Sequence, residues 1–439
     1  MRSRPAVSLF VLLLTGPACS GSGPSDPDTR APVPSSPESV SPVPAGPGSA
    51  QAALERLCEY PPPQAPAGGA GEGPKPPAIA QVERQVQEIR GLRFTEPVTV
   101  DAASHAELVE GLERSFDAAY PAELYERRTA AWQAIGVMPA TTGVREALEA
   151  FAGSQVIGYY DSVSGELVFM GAEDPTALER VTLAHELTHA IDDQHFGLER
   201  IDRLANTCRD EAFQAALGMV EGNATHFMLV YAQRYLTIEE QLEIGLQAPP
   251  STEGIPAFIL EMQSWPYTAG LLFVQALEAR GGIEAVNRAF THLPVSTEQI
   301  IHPERYPNDV PRPVDVPDLA PELGRGWTDL DVMGLGEAFL SIMLGLELDR
   351  TAADAAAAGW DGAIYRAWVN GDRVAVVLST VWDRPEDASE FAAAMSEYLG
   401  DRDERSATVL PVDGDRVEVL FASNRATLSR LIAAAGAAL

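Results

Sequence analysis

Basic residues are scarce in this chain. Its 439 residues carry 31 Lys and Arg against 63 Asp and Glu, a formal net charge of −32. Such a field repels phosphate backbones and anionic lipid surfaces, so nucleic acid and charged membranes are disfavoured as partners. It favours solubility and a weak attraction to basic substrates. Long apolar runs are lacking too: the run from Val7 to Leu14 is too short to span a bilayer. There is no glycine-rich phosphate loop, no G-x-S-x-G elbow, no calcium-loop spacing and no convincing repeat. Cysteine occurs three times, never at zinc-site spacing, and histidine seven times. What is present is a 46% hydrophobic composition, enough for a sizeable core and room for two domains.

Arg2 and Arg4 precede the apolar run, and Thr15-Gly16-Pro17-Ala18-Cys19 follows it. Residues 1–19 therefore read as a secretory signal peptide. Cys19 resembles the lipidated cysteine of a bacterial lipobox, although Gly16 and Pro17 replace the usual Leu and small residue. The expected location is the cell envelope, lipid-anchored, with secretion or the periplasm as the alternative. Residues 20–77 are Pro-, Gly- and Ser-rich and read as a disordered tether, broken by a short helix over 52–60. In an oxidising compartment Cys58 and Cys208 suggest one disulfide, with two free thiols as the alternative.

The scarce histidines are unevenly placed. Residues 181–193 read Val-Thr-Leu-Ala-His-Glu-Leu-Thr-His-Ala-Ile-Asp-Asp. On a helix His185 and His189 lie one turn apart on one face, where two imidazoles can grip one Zn²⁺ at about 2.0–2.1 Å. Glu186 follows the first histidine and can act as general base toward a water on the metal. No Gly or Pro interrupts 176–196, and an apolar stripe from Ala177 to Ile191 supports the helix. Residues 209–235 read as a second helix, with Phe213, Leu217, Val220, Ala224 and Met228 at helical spacing. Glu221 sits on that apolar background, where a carboxylate is costly unless paired or metal-bound. Gly222 and Ala224 are small enough to admit another helix.

His-Glu-Leu-Thr-His followed by Glu221-Gly222-x-Ala224 resembles the gluzincins, the thermolysin-like branch of the zincin metallopeptidases. The resemblance implies one Zn²⁺ held by His185, His189 and Glu221, with Glu186 as base. Thr225 stands where that family has an aspartate bracing a histidine, so Asp192 and Asp193 are the alternative braces. The stretch from 79 to 306 is similar to a group of bacterial and archaeal gluzincin-like proteins. The resemblance also implies a donor to the oxyanion from the later half; His302, Tyr306 and Tyr267 are the candidates, in that order. In the family the last strand before the active-site helix is often an edge that pairs with substrate, here Leu167–Met170.

The rest of the chain is read more coarsely. Residues 79–91 and 104–136 have helical periodicity, and Val98–Val100 reads as a short strand beside Pro97. Residues 156–161 and 166–170 read as strands flanking a hairpin turn. Trp265 opens a helix that Gly281-Gly282 ends, and 283–291 is another. Over 327–439 helices are expected at 333–347, Pro385–Leu399 and 424–438. Asp387, Glu390 and Glu397 should point outward from the second of these. Strands are expected at Ala363–Val369, Val374–Trp382 and Arg416–Ala422.

The fold class expected is α+β. A zincin-like metallopeptidase domain, a small sheet with the active-site helix and then a helical subdomain, would span 78–326. A small C-terminal α/β region would follow over 327–439. The expected function is zinc-dependent hydrolysis of a peptide or protein substrate. The rival is a non-catalytic surface binding or scaffold protein with the same shell. The sequence does not disclose the oligomeric state.

Overall fold

The computed structural model describes residues 48–58, 75–119, 121–162, 164–172, 174–400 and 406–438. The expected signal peptide, Cys19 and most of the expected tether lie outside them. The chain enters with α1 (Ala50–Leu57), whose first turn is capped by the Ser49 hydroxyl accepting from the Ala52 amide. Then come α2 (Pro77–Arg90), β1 (Thr99–Ala103), α3 (His105–Ala119), α4 (Ala122–Ile135) and α5 (Val144–Gln155). The periodicity over 104–136 is thus split, with Pro121 as the N-cap of α4.

A three-stranded sheet follows from β2 (Gly158–Asp161) and β3 (Glu166–Met170), in the order β1-β3-β2. β1 runs parallel to β3 and β2 antiparallel, so Leu167 faces Val100 on one side and Tyr160 on the other. This corrects the expectation for Leu167–Met170: β3 is the central strand, hydrogen-bonded on both sides. Among the described strands the edges are β1 and β2.

The helical part runs through α6 (Ala177–Phe196), α7 (Glu199–Asn206), α8 (Asp210–Tyr235), α9 (Ile238–Gly245), α10 (Ala257–Thr291), α11 (Thr297–Ile301) and α12 (Ala320–Leu323). α6 starts at a reciprocal cap between Thr176 and Glu179 and stops at left-handed Gly197. α10 begins eight residues before Trp265 and carries Pro266 inside it. Proline cannot donate to the carbonyl four residues back. That carbonyl, on Met262, accepts instead from Gln214 Nε2 of α8 at 3.1 Å. At Gly281 and Gly282 the backbone leaves helical geometry, where the sequence reading placed a stop.

α8 and α10 cross in backbone contact. A Cβ on Gly270 would lie 1.9 Å from the Gly218 carbonyl oxygen, and one on Gly222 would lie 2.1 Å from the Gly270 carbonyl carbon. Gly222 does admit a helix, as its size suggested.

The last third contains β4 (Thr328–Gly334), α13 (Glu337–Leu344), α14 (Arg350–Ala357), β5 (Trp360–Asn370), β6 (Arg373–Trp382), α15 (Pro385–Leu399), β7 (Ser406–Val409), β8 (Arg416–Ala422) and α16 (Arg425–Ala438). Its strands form an antiparallel sheet in the order β4-β5-β6-β8-β7. The start of the helix expected over 333–347 is corrected: Thr328–Gly334 pairs with β5, and the helix begins at Glu337. Asp387 is corrected too: it is buried, held by Arg384 and pressed on Gly359. The overall class is α+β. One buried apolar cluster runs from Ile79 to Phe421 through both sheets. A second joins Ala50, Ala53 and Leu54 of α1 to Trp368, Leu420 and Leu431. The helix expected within the tether is therefore docked on the five-stranded sheet. Cys58 and Cys208 are disulfide-bonded across a sequence separation of 150.

Candidate metal centre

α6 is buried on every side between Val181 and Asp192. Such a helix must satisfy its polar side chains internally. Thr182 and Thr188 do so by donating to the carbonyls of Leu178 and Ala184. His185, Glu186 and His189 lie on the same buried stretch of the helix. Facing them from α8 is Glu221, and all four are at most 1% exposed.

His185, His189 and Glu221 converge. His185 Nε2 lies 3.1 Å from Glu221 Oε2 and 3.0 Å from His189 Nε2, and His189 Nε2 lies 3.4 Å from the same Glu221 oxygen. A tetrahedral centre with bonds of about 2.0–2.1 Å spaces its donors about 3.3 Å apart. The triangle therefore has the dimensions of one face of such a centre. Among the described residues these three form a buried group that could hold a metal ion.

The electrostatics agree with that reading. Burial pushes the His185 imidazole down to about 3 and His189 well below its usual value, so both imidazoles are neutral, the form in which a histidine can bind a metal. Burial raises the Glu186 carboxyl, and burial with the neighbouring Glu186 raises Glu221. No cationic side chain among the described residues offsets either shift. Both Glu186 oxygens lack a hydrogen-bond partner among the described residues. A divalent cation would supply the missing charge.

Gly158 of β2 explains how the sheet reaches this place. A Cβ there would sit 3.0 Å from Thr182 Cγ2 and 3.3 Å from Glu186 Oε1. The edge strand next to the centre is thus β2. Sequence reasoning missed Gly158; an isolated glycine opening a strand was the available signal.

The three donor candidates separate. Tyr267 belongs to the centre: its hydroxyl donates to Glu221, and its ring stacks over His185 at 6.0 Å and 22°. His302 is engaged by Glu337 at 3.0 Å, and the Tyr306 hydroxyl donates to the His292 carbonyl at 2.6 Å. Neither has a described contact with the triangle. The proposed braces are engaged as well. Asp192 is held by Arg90 and Asn223, and Asp193 accepts from the Tyr160 hydroxyl and the Leu198 amide. His185 Nδ1 and Thr225 Oγ1 find no partner among the described residues.

Residues 329–432 match a family described only as a domain of unknown function (DUF8575). No curated protein matches the chain. A crystal structure from Chloroflexus aurantiacus, described as "a putative hydrolase with a novel fold", is similar at 19% identity with a TM-score of 0.35. That match covers 58% of this chain and 95% of the other. A likeness so slight carries no argument about fold or activity.

Proposed function

We propose that this chain is a zinc-dependent peptide hydrolase, exported to the cell envelope and anchored by lipid at Cys19. The observation that supports it most is the His185–His189–Glu221 triangle beside an unpartnered Glu186 carboxylate. Zinc bound there would supply Lewis acidity, polarising a carbonyl and bringing a water's pKa to about 7. The chain's own side chains do the rest. Glu186 takes a proton from the attacking water and returns it to the leaving amine. Tyr267 fixes the Glu221 carboxylate through its hydroxyl and, of the three candidates, stands nearest to donate to an oxyanion. The acidic surface fits a peptide or protein substrate and disfavours nucleic acid.

Zinc stoichiometry with casein turnover tests the proposal. Wild type should bind one zinc and hydrolyse casein. Glu186→Gln should keep its zinc and lose about 10²–10⁴ in rate. His189→Ala and Glu221→Ala should each lose most of the metal. Near-normal turnover by Glu186→Gln would remove the mechanism. Zinc binding without turnover in wild type would favour the non-catalytic surface protein.

A further inference from the structure

Behind the triangle lies a buried polar device that the proposed chemistry does not use. Asp192 sits on α6 three residues after His189, and Asn223 on α8 two residues after Glu221. Asn223 Nδ2 donates to Asp192 Oδ2 at 2.6 Å, and Arg90 Nε, from the end of α2, donates to Asp192 Oδ1 at 2.7 Å. All three are at most 1% exposed. The Arg90 guanidinium is caged by aromatic rings, 5.7 Å from Phe196, 5.2 Å from Phe227 and 5.8 Å from Phe290. Those rings come from α6, α8 and α10, and Phe196 stacks on Phe290 at 4.8 Å and 11°. Four helices thus meet at one cation.

We infer that the Arg90–Asp192–Asn223 cluster is a register pin that sets Glu221 of α8 against His185 and His189 of α6, and so sets the affinity for the metal. The inference rests on the metal-centre reading above. Its physical basis is directionality. Apolar contacts between α6 and α8 are non-directional and tolerate sliding. A slide of one residue along a helix is about 1.5 Å, whereas a metal site tolerates about 0.2 Å. The Asn223–Asp192 bond, with Arg90 fixing the other oxygen of the same carboxylate, opposes such a slide. A buried ion pair contributes little net stability over well-packed apolar residues, and its best-attested use is to fix register. The cage accounts for the cation's place here: three rings hold Arg90 by cation–π attraction, leaving its Nε to fix Asp192.

Asn223→Leu tests this, because it cuts the α6–α8 link while leaving Arg90 with Asp192. Asn223→Ser, which keeps a donor in a smaller side chain, replaces it if the leucine does not fold. The readouts are the zinc dissociation constant by chelator competition and the rise in melting temperature that zinc confers on the metal-free protein. The expected result is zinc affinity weakened about 10- to 100-fold, the range found for groups that orient ligands. The zinc-induced rise should shrink in step. A purely structural role predicts something else: equal lowering of the melting temperature with and without zinc, at unchanged affinity. That result overturns the pin and leaves the metal centre standing. Wild type that binds zinc no better than His189→Ala overturns both.

Discussion

His302 and Glu337 form a pair with a titration of its own. The hydrogen bond that His302 donates to Glu337, with the nearby charges of Glu337 and Glu304, raises the His302 imidazole above its usual 6.5, against burial and the Arg305 charge. A group whose folded pKa is raised contributes stability in full below its unfolded value. It loses that contribution as pH rises through the folded value. His302→Gln should therefore lower the melting temperature more at about pH 5.5 than at about pH 8.5. Its zinc content should be unchanged. Equal destabilisation at both would mean that His302 acts by packing alone, and a loss of zinc would return it to the metal centre. At this scale the sequence was most informative where chemistry demands fixed spacing. His185, Glu186 and His189 declare themselves by one helical turn, and Glu221 by being a carboxylate on an apolar stripe. Tyr267 ranked last of three because spacing does not tell which polar side chain of a long stretch faces a centre. Only the packing of α10 on α8 decides that.

The crossing of α8 and α10 makes a sharper demand on sequence. Gly270→Ala would drive a methyl into the Gly218 carbonyl, 1.9 Å from its oxygen, and the two backbones would have to part. We expect a destabilisation of about 3 kcal/mol, the upper end of the overpacking range, read from urea unfolding. Because Tyr267 lies one turn away, zinc affinity should fall with it. Unchanged stability would mean that the helices are not in contact as described. Elements with one clear period were legible: α15 spans Pro385–Leu399 as read, and β8 spans Arg416–Ala422. β4 was hidden because only Leu335 and Gly336 separate it from the largely apolar α13, and short apolar runs carry no decisive period. The edge position expected of β3 fails because strand order is a non-local property that composition does not record.

The Cys58–Cys208 bond couples parts that are distant in sequence. It joins α1, docked on the five-stranded sheet, to the segment that leads into the Glu221 helix. Closing a loop of 150 residues restrains the unfolded chain by about 5 kcal/mol in the loop-entropy estimate, an upper bound for the stability at stake. Cys58→Ser with Cys208→Ser should lower the unfolding midpoint and release α1, seen as faster amide exchange over 50–57. A double variant with wild-type exchange there would show that burial of Ala53 and Leu54 holds the helix unaided. The pairing was suggested by counting cysteines; the docking of α1 was not, since its surroundings read as tether.

The same bond has a consequence for cleavage of the chain itself. The covalent ring it closes contains His185 and His189, while Glu221 lies thirteen residues beyond Cys208. A single cut anywhere inside the ring, by another protease or by a second copy of this protein, yields no free fragment. The nicked molecule keeps its full mass on a non-reducing gel and falls into two bands only after reduction. A preparation can therefore be cut and still carry its ligand set on one covalent body.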